Sequence, residues 1–567
     1  MYDLVFFHAP SVYDFRERAT LWGPISDLVP STPVFDMYPL GFATMLAHLQ
    51  ESGFRVRIVN LAARMVRSHA FDPDRLLRQV DARAYAVDLH WLPHAHGALE
   101  VARRIKHYHP DAPVIMGGYS ATYFHDEVVQ TPWVDYVLRG DSAEDPLASL
   151  MQHILEGKAP VEVPNLTWRD ADGSVRVNPL TYVPESLDHL KLDFHEVVRA
   201  VVRDRQLRDY VPFSHWMEYP IMASLSVKGC TRNCTICGGS AFAARHLSNR
   251  TEPAFRSPEL LARDVRRLGE MSRGPVFLLG DLRQAGMPYA NRFFKAIQGY
   301  EGPVIVEFFG PVDRAYMETF AAALPNFFVE FSPESHDPAV RLASGKRYTN
   351  EEIETSIAAA LDAGARRFDL FFMIGMPKQT PDSALGSVDY ARKLLDRFDD
   401  GRLIPFTSPL APFLDPGSLA YEHPERFGYR RYADSLQDHR NLLLQPSWKH
   451  ILSYETRWLD RHTLADVTYE AGSRLNHLKR EVGLISDEKA EETRMRIREA
   501  RSLMREIDAI MASHNGSART RALQRLKPRI DRANTSTVCD KSELDVDVGP
   551  MPFKILNLAR IGLGIRE

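Results

Sequence analysis

Through residues 1–155, short apolar runs alternate with segments of helical spacing. Val5–Ala9, Phe54–Leu61, Tyr85–Leu89, Val114–Met116 and Val134–Leu138 read as strands, and Leu40–Leu49 and His96–His107 as helices. This alternation predicts a parallel sheet with helices on both faces, the doubly wound arrangement. Such sheets bind ligands beyond the carboxyl ends of their strands, where Gly117, Gly118 and Gly140 fall. A second alternating region covers 218–400, with strands at Ala223–Val227, Val276–Leu279, Val304–Phe308, Phe327–Phe331 and Phe368–Ile374. Pro258–Met271 and Asn350–Ala363 read as helices between them, which gives a partial barrel. Residues 156–217 read as a connector, with a hairpin turning at Asp170-Ala171-Asp172-Gly173.

Beyond 400 the pattern changes. Residues 403–425 are rich in proline and aromatics and are a candidate lining for a substrate cavity. The rest of 401–567 is predicted to be a mainly helical domain that closes that cavity. In Asp487–Met511, Ile497, Ala500, Leu503, Met504, Ile507 and Met511 share one helical face. Residues 513–547 read as a loop. Its basic stretch, Arg519, Arg521, Arg525, Lys527 and Arg529, is either a solvated face or a patch for an anionic ligand.

Composition narrows the class. The chain has 567 residues, 44% hydrophobic and 25% charged, which is the globular range and enough for several domains. Seventy basic against 74 acidic residues give a net charge of −4, so the chain as a whole is not built for nucleic acid. No run is apolar and long enough to cross a membrane. The opening Met1–His8 reads as a strand rather than a leader, so the expected location is cytoplasmic. Four cysteines do not make a disulfide scaffold at this length.

Three of those cysteines, Cys230, Cys234 and Cys237, follow a strand in Gly-Cys-Thr-Arg-Asn-Cys-Thr-Ile-Cys-Gly-Gly. Three thiolates on one loop can hold three irons of a cubane cluster and leave the fourth iron open to a substrate. The flanking glycines let backbone wrap closely. Structural zinc, with His246 as a fourth ligand, and three unliganded buried cysteines are the alternatives. Cys539 stands apart and reads as a packed free thiol.

The loop resembles that of the radical S-adenosylmethionine (SAM) enzymes, except that Ile236 stands where an aromatic residue is usual. The resemblance implies a 4Fe-4S cluster whose open iron chelates SAM, which is cleaved reductively to a 5′-deoxyadenosyl radical. Four further segments fit, in order and at strand ends. Gly280-Asp281 resembles the family's amino-group site, with one glycine missing and Asp for Glu. Glu334 with the later Lys346 is similar to its ribose and carboxylate region, and Ile374-Gly375 to its Gly-x-Ile-x-Gly-x-Pro segment.

The first region is similar to the cobalamin-binding domain of one class of these enzymes, in Tyr38-Pro39-Leu40-Gly41, Met116-Gly117-Gly118-Tyr119-Ser120 and Leu138-Arg139-Gly140-Asp141. Many cobalamin proteins place a histidine on cobalt with Asp-x-His-x-x-Gly. Asp88-Leu89-His90-Trp91-Leu92-Pro93 ends in proline and follows a different strand, so cobalamin is expected to bind without a protein histidine, with His90, Trp91 or His94 lining its lower face. The order of the parts also resembles a subgroup whose third cysteine opens Cys-Gly-Gly-Ser.

These resemblances imply a cobalamin-dependent radical SAM enzyme, and methyl transfer to an unactivated carbon as its reaction. The cofactors would be the cluster, SAM and cobalamin. The partners would be a small-molecule or peptide substrate and an electron donor such as flavodoxin or ferredoxin. Radical rearrangement or ring formation with the same cofactors, and a non-catalytic cobalamin or iron–sulfur sensor, are the alternatives. No catalytic side chain is identifiable from the sequence.

Overall fold

The structure, a computed structural model, describes residues 1–192, 194–205, 211–272, 274–513, 515–534, 537–546 and 559–561. The first sheet has seven strands: β1 (Tyr2–His8), β2 (Val56–Asn60), β3 (Ala82–Asp88), β4 (Val114–Gly117), β5 (Tyr136–Leu138), β6 (Leu166–Arg169) and β7 (Val175–Val177). Their order is β2-β1-β3-β4-β5-β6-β7. The first five are parallel, as their nearly unbroken apolar runs require of strands covered on both faces. β6 and β7 form the hairpin, and β6 pairs antiparallel with β5. Residues 166–177 of the segment read as a connector therefore extend the first sheet. Trp168 and Leu166 bury against it, while the outermost strand β7 is exposed.

After β8 (Met222–Leu225), a two-residue strand β9 (Val227–Lys228) pairs with β10 (Ala254–Phe255). β8 opens the second sheet, which continues through β11 (Val276–Leu279), β12 (Val304–Phe308), β13 (Phe327–Glu334), β14 (Arg367–Ile374) and β15 (Leu403–Pro409). All six are parallel, in the order β15-β14-β13-β12-β11-β8, which makes the partial six-stranded barrel. The barrel runs past residue 400. Two prolines disguise β15, but its pairing with β14 extends from Leu403 to Pro409. A small antiparallel pair, β16 (Tyr429–Arg431) and β17 (Tyr454–Thr456), follows.

Three long helices close the C-terminal region: Arg461–Glu481, Asp487–Ser513 and Gly516–Ala533. The third corrects the loop reading of 513–547. Pro528 inside it and its sparse apolar positions hid the helical signal. Its basic residues brace the preceding helix: Arg529 bridges Glu499 (2.9 Å) and Glu506 (2.8 Å).

Residues 537–546 return to the first region's loops. The buried Asp27 carboxylate accepts the backbone N–H groups of Thr537 and Val538, both at 2.8 Å, and Lys479 pairs with Glu543 at 2.7 Å. Burial raises the Asp27 pKa from 3.8 to about 6, although those N–H groups and Lys541 pull the other way. An acid raised on folding favours the native state below its unfolded pKa and loses that contribution as pH rises through the folded value. Stability should thus fall between pH 4 and 6.5, by up to about 3 kcal/mol for a shift of this size. Asp27→Asn keeps an acceptor oxygen and should flatten the melting temperature over that range; an unchanged pH profile would reject the assignment.

Candidate cofactor sites

The cysteine loop leaves β9 through Gly229 (φ +83°), where a side chain would strike Arg250. The loop folds back on the helix Ala241–Ser248: the Arg232 carbonyl accepts from Ala241 N–H (2.8 Å) and the Asn233 side chain from Phe242 N–H (2.7 Å). Thr235 ties it to the turn after the next-but-two barrel strand, with its N–H to the Ser344 carbonyl and its hydroxyl to that of Ala343. Gly345 is needed there, because a Cβ would lie 2.7 Å from the Asn233 carbonyl.

Backbone N–H groups of Arg232 and Gly239 point at Cys230 Sγ (3.4 Å) and Cys237 Sγ (3.3 Å), a donor arrangement that suits thiolates. Cys230 also reaches Gln284 Oε1 at 3.2 Å. Burial raises the pKa of all three thiols, each within electrostatic reach of another. Cys237 has an exposed side, yet the surrounding protein and the Asp415 carboxyl push it up to about 12. Three crowded thiols become thiolates readily only with a cation among them, which fits an iron–sulfur cluster. His246 instead stacks on Phe242 and lies 3.9 Å from Glu422.

Around this loop stand the barrel-strand ends. Gly280 (φ +99°) ends β11, and a Cβ would meet Val227 at 2.4 Å and Ser226 at 2.6 Å. Asp281 is engaged within the protein. It pairs with Arg283 (2.6 Å), accepts from Phe309 N–H (3.1 Å) and caps the turn Leu282–Ala285. Arg283, two residues on, is thus the main partner of the carboxylate expected at the amino-group site. Glu334 ends β13 in the left-handed region (φ +66°), a strained position for a side-chain-bearing residue. It pairs with buried Lys346 at 2.6 Å. Burial works against the Lys346 charge, but Glu334, Tyr348 and Cys234 outweigh it and hold its pKa above the usual value. Ile374 is buried at the end of β14. Gly375 (φ +102°) donates to Gln379 Oε1 (2.8 Å) and accepts from the Tyr429 hydroxyl (2.9 Å).

In the first domain Pro39, Gly41, His90, Gly117, Gly118 and Gly140 share one cavity of about 150 Å³ at the strand ends, together with Asp88, Glu144 and Lys228. Gly118 (φ +114°) packs on backbone, where a Cβ would lie 2.5 Å from His90 Cα. A flat ring edge or a nucleotide tail can approach such a side-chain-free rim, so these residues fit cobalamin. Trp91 lies elsewhere, in a second cavity of about 410 Å³ that also contains Pro39 and His90. That cavity crosses from the first domain into the barrel, to Met222, Phe277, Glu330 and Phe371.

Sequence reasoning missed Gln284, Asp415 and the barrel acids Glu307 and Glu330. The two glutamates are register partners on β12 and β13. Burial and neighbouring carboxylates raise Glu330 to about 8; burial raises Glu307 to about 7 despite Lys346. The signal was present: each interrupts an apolar strand in the same Val-Glu-Phe string.

Known proteins resemble the chain in two parts. The family model described as B12 binding domain matches residues 27–150, and that of the radical SAM superfamily matches 225–391. The cytidylyl-2-hydroxyethylphosphonate methyltransferase of Streptomyces wedmorensis is 21% identical over 295 residues, 46% of this chain and 54% of that protein. The match thus spans about half the length of that relative. The radical SAM methyltransferase TsrM from Kitasatospora setae, solved with cobalamin and a [4Fe-4S] cluster, superposes with a TM-score of 0.57 at 16% identity, over 94% of this chain and 100% of that one. OxsB, a cobalamin-dependent SAM radical enzyme solved with aqua-cobalamin and SAM, gives 0.50 at 11% identity, over 94% and 72%. The chain joins a B12 binding domain to a radical SAM domain, the architecture of cobalamin-dependent radical SAM enzymes.

Proposed function

We propose that this chain binds cobalamin at the first sheet and a [4Fe-4S] cluster with SAM at the cysteine loop, and methylates an unactivated carbon of a small-molecule or peptide substrate. The observation that carries the reading is the 410 Å³ cavity, which puts residues of the cobalamin-side rim and of the barrel lumen around one space. When bound, the cofactors supply a carbon-centred radical for hydrogen abstraction and a methyl group for delivery. The protein's own part is placement. Cys230, Cys234 and Cys237 hold the cluster at the barrel mouth. Gly280 and Gly375 keep side chains off the strand ends, and the Glu334–Lys346 pair offers a carboxylate and an ammonium beside Cys234. Aromatic walls, including Phe35, Tyr38, Phe213 and Phe277, exclude water from the shared cavity. A flavodoxin or ferredoxin of the cytoplasm would supply the electron.

The named relatives support methyl transfer, since two are methyltransferases. The test is anaerobic reconstitution with iron, sulfide and hydroxocobalamin, followed by incubation with reductant and SAM carrying a trideuterated methyl group. About four irons and one cobalamin per chain are expected, with S-adenosylhomocysteine and 5′-deoxyadenosine formed and the label carried into a substrate. A product without the label would move the reading to rearrangement or ring formation. A loaded protein that never cleaves SAM would make it a sensor.

A further inference from the structure

The barrel lumen carries more negative charge than its own cations answer. Glu307 on β12, Glu330 on β13 and Asp369 on β14 are register partners on three neighbouring parallel strands. Register partners share a face and adjacent strands lie about 4.8 Å apart, so the three carboxyl groups form a row. The alternating residues Val306, Val329 and Leu370 belong to the apolar core on the other face. The cations nearby are each committed. Arg367 gives Nε (3.1 Å) and Nη2 (2.8 Å) to Asp369 Oδ2 and reaches the Asp545 and Leu544 carbonyls at 3.0 and 3.2 Å. Lys346 pairs with Glu334, and Lys479 with Glu543. Asp369 Oδ1 is buried without a partner.

Glu330 is the member of the row that reaches the 410 Å³ cavity. Its carboxyl has no hydrogen bond or ion pair among the described residues. Burial and the neighbouring Asp369 and Glu307 push it up to about 8, the response of an acid whose surroundings lack a counter-charge. Apart from two histidines, the charged side chains in the cavity lining are Glu330 and the committed Arg367. The rest is mainly apolar and aromatic. Tyr219, Phe277 and Phe371 line the barrel side, and Tyr219 stands within electrostatic reach of Glu330. Tyr38, also in the lining, keeps a buried hydroxyl without a partner. The volume suits a small molecule. Among the described residues the three carboxylates do not converge closely enough to ligate a metal ion. A carboxylate among ring faces instead suits an organic cation. Glu334 ends β13 four residues beyond Glu330. At about 3.3 Å per residue, Glu330 thus lies about 13 Å below the strand end, away from the cysteine loop.

We propose that the substrate is a small, mainly apolar amine whose ammonium group pairs with Glu330, with Tyr219, Phe277 and Phe371 around it. The pairing supplies the positive charge that the row lacks. It also sets orientation. The ammonium end sits deep in the lumen, and the rest of the molecule extends toward His90 and Pro39, the residues that line this cavity and the first domain's cavity alike. A neutral alcohol of the same shape would leave Glu330 unanswered, and a carboxylate would add a further negative charge to the row. The inference rests on the cavity being the substrate site, as proposed above, and is independent of the fate of the methyl group.

The test is equilibrium dialysis of the full-length chain, loaded anaerobically with cluster and cobalamin, against phenethylamine, phenethyl alcohol and hydrocinnamate. The amine is expected to bind at least about tenfold more tightly than either of the others. Glu330→Gln keeps the size of the side chain and removes the charge, and it should cut that preference to below about twofold with the affinity for the alcohol unchanged. A wild-type protein that binds the three probes equally, prefers the alcohol or the acid, or binds none would overturn the proposal, as would a Glu330→Gln protein that keeps the preference. The wild-type comparison needs no variant, so a misfolded Glu330→Gln protein leaves the test intact. Failure of the methyl-transfer reading shows elsewhere, as a product without the trideuterated label. Amine preference without label transfer would keep this inference and reject methylation.

Discussion

Alanine at any one of Cys230, Cys234 and Cys237 is expected to drop reconstituted iron from about four atoms per chain to below about one. 5′-Deoxyadenosine formation should fall by at least about a thousandfold, more than 4 kcal/mol in barrier terms. Bound cobalamin and the far-ultraviolet circular dichroism should be unchanged, since the loop's hydrogen bonds to Ala241, Ser344 and Phe242 do not use the thiols. Among the described residues, neither His246 nor the remaining cysteine stands ready to replace a lost thiolate. His246 is stacked on Phe242, and Cys539 is buried beside the Asp27 carbonyl in another part of the molecule. Loss must therefore be near complete rather than graded. If the wild-type loop takes up zinc in place of iron, the radical reading fails from Cys230 onward.

Both sheets were legible in the chain because parallel strands buried on two faces leave apolar runs that no surface helix imitates. The cysteine loop was legible because its spacing is local. What failed to show were features made by distance in sequence. β15 carries two prolines that its place at the sheet edge tolerates. The helix Gly516–Ala533 buries only Ala522, Ile530 and Ala533 among its described residues, so no long apolar stripe announces it, and its pairing of Arg529 with Glu499 and Glu506 crosses to another helix. The same holds at the site. Asp281 matched its expected position in sequence, and only the fold shows its carboxylate bound to Arg283 and Phe309 N–H. The His90 ring is oriented by Asp88 and its backbone is packed by Gly118, just past the neighbouring strand, and a motif read along one strand omits that neighbour.

Gly118→Val should empty the first domain of cobalamin, to below about a tenth per chain, with iron content kept as the internal control for folding of the barrel. Three reasons act together. Gly118 has φ +114°, which side-chain-bearing residues rarely adopt. A Cβ would lie 2.5 Å from His90 Cα, 2.6 Å from His90 N and 2.8 Å from the Leu89 carbonyl carbon. All three are backbone atoms, so no side chain can swing aside. The combined strain and overpacking should cost about 3 kcal/mol and is relieved only by displacing the loop that carries His90. Gly117 is the matching comparison. Its φ is ordinary, and its Cβ would meet nothing nearer than the Leu138 carbonyl at 3.6 Å. Alanine there should leave the melting temperature within about 1 °C, so any loss of cobalamin from Gly117→Ala reports the approach of the cofactor rather than damage to the fold. Full cobalamin in Gly118→Val would place the cofactor away from this rim and leave the glycines as turn residues.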